Sequence, residues 1–194
     1  MSKKIMFNDK FDLTQAVLDG RKTMTRRIVS EKLLDRWTDY DEKDFFLNNA
    51  PYKLGEVVAI AQSYMDVDRF HRKGKNAAYL EYLDSILPEL KLYPGWGNKM
   101  FAKADLMPHH IEITGIKVER LQDISDEDCL KEGIIHKYTD NDGIKIYHTP
   151  HTKRGYLSTD IPQQAFEFLI NKVSGKGIWE SNPFVFAYEF RLTD

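Results

Sequence analysis

Residues 112–134 read EITGIKVERLQDISDEDCLKEGI, and the stretch changes character halfway along. Ile111, Ile113, Ile116 and Val118 mark a strand with one apolar face, interrupted at Gly115. From Ser125 onward the signals are those of a short helix. Ser125 stands as the N-cap, Asp128 completes the capping box three residues later, and Gly133 follows the last turn as its stop. A strand that delivers the chain into a capped helix is therefore expected at the centre of the fold.

Working outward, Leu13, Ala16 and Val17 form the apolar face of a first helix, with Asp12 as expected cap, Gln15 at the capping-box position and Gly20 at its end. GRKTMTRR, residues 20–27, follows as a loop entering an extended segment. PYKLGEVVAIAQSY (51–64) reads as a turn at Leu54-Gly55 and then a β-branched strand. RFHRKGK (69–75) reads as a basic loop. Tyr79, Leu80, Leu83, Ile86 and Leu87 then fall at helical spacing before Pro88, and YPGWGNK reads as a glycine-rich turn. A hairpin is expected around Asn141-Asp142-Gly143, and an amphipathic helix over PQQAFEFLINKVS. The closing PFVFAYEFRL alternates at Phe184, Phe186, Tyr188, Phe190 and Leu192. The expected class is α+β, with a small closed sheet decorated by helices.

The 194 residues suit one domain with insertions, and an apolar share of 42% is enough for a core. The net charge of −2 means that any affinity for nucleic acid must come from a local patch. One cysteine, Cys129, excludes an internal disulfide and fits a reducing compartment. No stretch reads as a signal peptide or as a membrane span, so the expectation is a cytoplasmic protein without a membrane partner. His109-His110 and the histidines of HTPH (148–151) lack partners at a recognised ligand spacing, so no metal is expected, and no phosphate-binding or dinucleotide motif points to a cofactor.

The order helix, GRKTMTRR, LGEVVAI, EITGIKVERLQDISDEDCLKEGI and FVFAYEFRL resembles the ASCH domain of the PUA-like superfamily, in a larger bacterial or phage-type form. The likeness covers roughly residues 11–29, 51–64 and 111–134 plus the final strand, leaving 65–107 and 135–161 as expected insertions. It implies a small β-barrel with flanking helices and a cleft for RNA or a nucleoside. Small enzymes of that family are amidohydrolases acting on N4-acetylcytidine, with a lysine and a threonine in a G-x-K-x-x-T pattern and a glutamate late in the helix after the central strand. Here those positions are Lys22, Thr25 and Glu132.

Amide hydrolysis needs a nucleophile, a base and a proton donor for the leaving amine. On this reading Thr25 is the nucleophile, Lys22 its base and Glu132 the acid, with Arg26 and Arg27 holding substrate or stabilising the oxyanion. Burial and the neighbouring cations Arg21, Arg26 and Arg27 would lower the Lys22 pKa toward a useful value. In a straight strand Lys22 and Thr25 face opposite sides, so a bend near Thr23-Met24 is required. The alternative is a binding module without turnover, in which Arg69, Arg72, Lys73, Lys75 and Lys99 follow an RNA backbone and Trp96 stacks on a base, unless that ring packs inward. A third reading is a protein–protein adaptor that keeps only the fold.

Overall fold

The computed structural model describes residues 3–37, 42–74, 77–150 and 155–193. In chain order the main elements are β1 (Lys4–Ile5), α1 (Leu13–Leu18), β2 (Met24–Ile28), α2 (Glu31–Leu34), α3 (Glu42–Asn49), β3 (Val57–Ile60), α4 (Tyr64–Gly74) and α5 (Ala77–Leu90). They continue with β4 (His110–Arg120), α6 (Asp126–Lys131), β5 (Ile135–Thr139), β6 (Lys145–His148), β7 (Ser158–Thr159), α7 (Pro162–Ser174), α8 (Ile178–Ser181) and β8 (Phe184–Leu192). The class is α+β. The chain divides into two compact units, one of Met1–Phe7, Val57–Ile111 and Thr193–Asp194, the other of Asn8–Glu56 and Glu112–Leu192.

In the first unit β1 runs parallel to β3, with Lys4 opposite Ala59 and Ile5 opposite Ile60, and the start of β4 lies along the far side of β3. Tyr64 and Val67 of α4 pack with Ala59, Ala102 and Met107, and Leu90, Trp96 and Leu106 lean on that core. The segment 65–107, read as an insertion, supplies most of this unit. Its glycine-rich turn is tight for a physical reason, since a Cβ on Gly95 would stand 2.7 Å from the Tyr64 ring. Lys4 ties the turn down, its Nζ donating to the carbonyls of Lys99 at 3.1 Å, Met100 at 2.7 Å and Ala102 at 2.5 Å.

In the second unit the strand order is β4-β8-β2. β2 pairs antiparallel with β8, placing Met24 opposite Glu189, Thr25 opposite Tyr188 and Arg27 opposite Phe186. All four residues from Val185 to Tyr188 are buried, so β8 is covered on both faces there, more than the aromatic alternation of the sequence implies. Phe46 of α3 stacks on Phe184 and meets Trp37 and Phe186 edge-on or tilted. A separate antiparallel sheet, β5-β6-β7, forms within 135–161, and its first turn closes where Gly143 takes φ +82.

Three sequence expectations are corrected. Neither strand order closes on itself among the described residues, so the sheet is open and not a barrel; β1 offers only two residues for pairing and β2 pairs with β8 alone. Residues 69–74 are the last turns of helix α4 and not a loop, because Asp68 and Asp84 neutralise Arg72 and Asp66 meets Arg69. Asp12 precedes α1 with φ +56, a left-handed conformation in which its side chain makes no capping bond. The cap and stop expected for α6 do form: the Ser125 hydroxyl accepts from Asp128 N at 3.2 Å, and Gly133 has φ +104.

Candidate active site

The chain reverses sharply after α1. Gly20 takes φ +70, and the backbone N–H groups of Arg21 and Lys22 both donate to the Ala16 carbonyl, at 2.8 and 2.9 Å. This ends the helix and turns Lys22 inward before β2 begins. Thr23 N then donates to Lys131 O at 2.9 Å, which lays the chain against the end of α6. Lys22 is thereby outside the strand, and its side chain is not bound by the strand's alternation.

Glu132 waits at that helix end. The Lys22 Nζ donates to the Glu132 carbonyl at 2.8 Å and to its Oε2 at 2.5 Å, with both side chains buried. Burial lowers the Lys22 pKa; the Glu132 charge works in the opposite direction, and Arg27 and Arg26 add to the lowering. The direction expected from sequence is therefore present, with burial as its main cause and not the cationic neighbours.

Arg26 joins the same cluster. Its guanidinium is 1% exposed and reaches three carboxylates: Glu119 at 2.6 Å, Asp128 at 2.9 Å and Glu132 at 3.2 Å. Lys117 closes the far side, its Nζ lying 2.5 Å from Asp128 and 3.2 Å from Glu119. The planar fork of arginine suits such a junction, where a lysine would engage only part of it. Lys22, Arg26 and Lys117 thus meet Glu119, Asp128 and Glu132 in a network that is buried except at the half-exposed Lys117, and Lys131 stands at its edge, 3.8 Å from Asp128. Burial opposes the charge of Arg26, but Glu132 and Glu119 prevail and raise its pKa. Burial alone would raise the Asp128 pKa, whereas hydrogen bonds from Lys117 and Arg26 bring it below the ordinary range.

Thr25 is buried and lies on the opposite face of β2 from Arg26, across from Tyr188. Arg27 shares that face. Burial lowers its pKa, against the influence of Tyr52, Glu132 and Tyr188. No hydrogen bond among the described residues joins the Thr25 hydroxyl to Lys22 or Glu132. The structure accordingly brings two of the three expected catalytic residues into contact and sets the third nearby in sequence but across the strand.

The remaining expected residues are dispersed. Arg21 is partly exposed and pairs locally with Asp19 at 2.9 Å and Asp12 at 3.4 Å. Arg69, Arg72 and Lys73 lie on the exposed side of α4, whereas Lys75 lies outside the described residues. Trp96 packs against the first unit's core with Lys91 over its face, and the Lys99 Nζ donates to the Phe7 carbonyl. Among the described residues no group of three His, Cys, Asp or Glu side chains is arranged to hold a metal ion, and no helix is long and apolar enough to cross a membrane. Sequence reading named Glu132 but missed Glu119 and Asp128, the other carboxylate partners of Arg26. Their one local signal is Lys117 and Glu119, two apart and hence on one face of β4.

No family model, no curated protein and no solved structure matches this chain.

Proposed function

We propose that the chain is an amidohydrolase of ASCH-like character that removes the acyl group from a modified cytidine or a similar N-acylated nucleoside, using Lys22, Thr25 and Glu132. The observation that carries this reading is the buried Lys22–Glu132 contact at 2.5 Å, with the lysine pKa lowered by burial. A buried lysine and carboxylate that share one proton can serve as base and acid by turns.

Transfer of that proton from Nζ to Oε2 leaves an amine beside a carboxylic acid, without change of net charge. The amine takes the Thr25 hydroxyl proton as Oγ bonds to the acyl carbon, and Glu132 gives its proton to the nucleoside nitrogen as the C–N bond breaks. The products of this half-reaction are an acyl-threonine ester and the free amine. Water then attacks the ester, passing its proton to the Glu132 carboxylate. Lys22 returns a proton to the departing Thr25 oxygen, releasing the acid and restoring both groups. The scheme requires the long Lys22 stem, which stands outside the strand, to swing Nζ round the start of β2 to the Thr25 hydroxyl on its other face.

Binding of RNA without turnover draws less support, because Arg72 is already paired with two aspartates and Lys99 holds a backbone carbonyl.

The test is hydrolysis of N4-acetylcytidine by the purified protein, followed by chromatography. Glu132→Gln is expected to lower turnover by about 10²–10⁴-fold, the usual worth of a general acid. Thr25→Val should abolish it and Thr25→Ser retain part of it, in variants whose melting curves show a folded protein. Turnover that survives Thr25→Val would remove the nucleophile from the scheme. Wild-type protein inert toward N4-acetylcytidine and other N-acylated nucleosides would remove the enzymatic reading.

A further inference from the structure

The first unit contains a cavity of about 500 Å³, unrelated to the Lys22–Glu132 cluster and built wholly from residues 64–106. That size accommodates a small organic ligand. Four aromatic rings line it: Tyr64, Tyr82, Tyr93 and Phe101. Ile86 and Leu90 of α5 add an apolar wall. The Tyr64 hydroxyl is fixed by accepting from Lys103 N at 2.9 Å, so this ring is held as part of the frame. Tyr82, Tyr93 and Phe101 are each about half exposed, at 47%, 59% and 57%, although rings of this kind gain by burial.

The charges at the cavity decide what it would take. Glu89, Asp105 and Lys103 line it, and none of the three forms an ion pair among the described residues. The formal balance is one negative charge, set among aromatic faces whose quadrupoles also favour a cation. Solvent-facing carboxylates beside half-exposed rings suit an organic cation with an apolar body.

We propose that this cavity binds a small organic ammonium ion, seated against Tyr82, Tyr93 and Phe101 and neutralised by Glu89 and Asp105. Lys103, on the same rim, disfavours a ligand of high positive charge and favours a monocation or a zwitterion that offers it a carboxylate. The aromatic faces give preference to alkylated over bare ammonium groups, since the former surrender less hydration on entering.

The experiment is a calorimetric titration of the full chain with phenyltrimethylammonium and, separately, with tert-butylbenzene, its uncharged isostere. Saturable binding of the cation, at least about tenfold tighter than the isostere, is the expected result. Tyr93→Leu and Glu89→Gln, both at exposed positions that should not affect folding, are each expected to weaken it by about three- to tenfold, the range of a partly desolvated cation–π contact. Equal binding of the isostere would overturn the proposal and leave an unspecific apolar cleft. So would cation binding that both substitutions leave unchanged, or no saturable binding of the cation at millimolar concentration.

Discussion

Replacing Arg26 by methionine keeps most of the side-chain volume and removes the charge that three carboxylates share. Glu132 retains the buried Lys22, and Asp128 and Glu119 retain the half-exposed Lys117, but three mostly buried carboxylates lose the one buried cation they share. Breaking a buried pair by deleting one partner costs about 3–5 kcal/mol, most of it the penalty of the uncompensated charge. For a chain of this size each kcal/mol moves the melting temperature by about 2–4 °C, so the expected fall is about 6–20 °C. Arg26→Lys should fall between wild type and Arg26→Met, because an ammonium cannot bridge carboxylates approached by separate nitrogens at 2.6, 2.9 and 3.2 Å. Arg26→Met combined with Glu119→Gln should recover part of the loss, since the second change removes the surplus charge and leaves Lys22 and Lys117 their other partners, and a non-additive pair of substitutions reports that coupling directly. Calorimetric and urea unfolding at pH 7 read all three. A loss below about 1 kcal/mol for Arg26→Met, the level of a surface pair, would refute the idea that the network is a desolvated unit.

The depressed Asp128 pKa makes an acid-side prediction. A carboxyl with its folded pKa below its unfolded value, about 3.9, adds stability above that value and loses it as pH falls through the folded pKa. The urea midpoint of wild type should therefore drop more steeply on acidification below about pH 4 than that of Asp128→Asn, and parallel curves would contradict the assignment. Cys129 is fully buried and its thiol is pushed up to about 12, chiefly by burial, so iodoacetamide should leave it intact in native protein and label it on unfolding. Gly133→Ala should cost about 1–3 kcal/mol through its φ of +104 and not through a clash, because an added Cβ meets Leu13 and Lys22 at ordinary distances of 3.7 and 3.8 Å. Gly95→Ala tests the opposite case, where φ is ordinary and the Tyr64 ring, at 2.7 Å, must move; a wild-type melting temperature in that variant would show that the ring yields freely.

Elements whose signals are local were legible. The cap at Ser125, the stop at Gly133, the hairpin near Gly143 and a strand over Phe184–Leu192 all emerge where the residues indicate, although that strand is buried on both faces at 185–188 and Leu192 is exposed. The open sheet was not legible, because whether end strands meet depends on pairings between residues far apart in the chain. The stretch 69–75 misled through its cations: the acids that quiet them sit at Asp66 and Asp68, a turn earlier, and at Asp84, twelve positions beyond Arg72. The helices at Glu31–Leu34 and Glu42–Asn49 have no clean period, and the half-buried Trp37 and the buried Phe46 pack on each other and on Phe184 from the far end of the chain. At the site, residue types suggested Lys22 and Glu132, but nothing near Arg26 in sequence announces partners 93, 102 and 106 positions away.

Those long separations bear on how the chain is made. Lys22 leaves the ribosome 110 residues before the carboxylate that receives it, and Arg26 precedes each of its partners by more than 90. During that interval both cations remain hydrated, since withdrawing them without partners is prohibitive, and the start of β2 has no means of settling early. A nascent chain cut short before Glu132 lacks the carboxylate that Lys22 needs, so the closed arrangement around that lysine forms only once both halves of the site have been made.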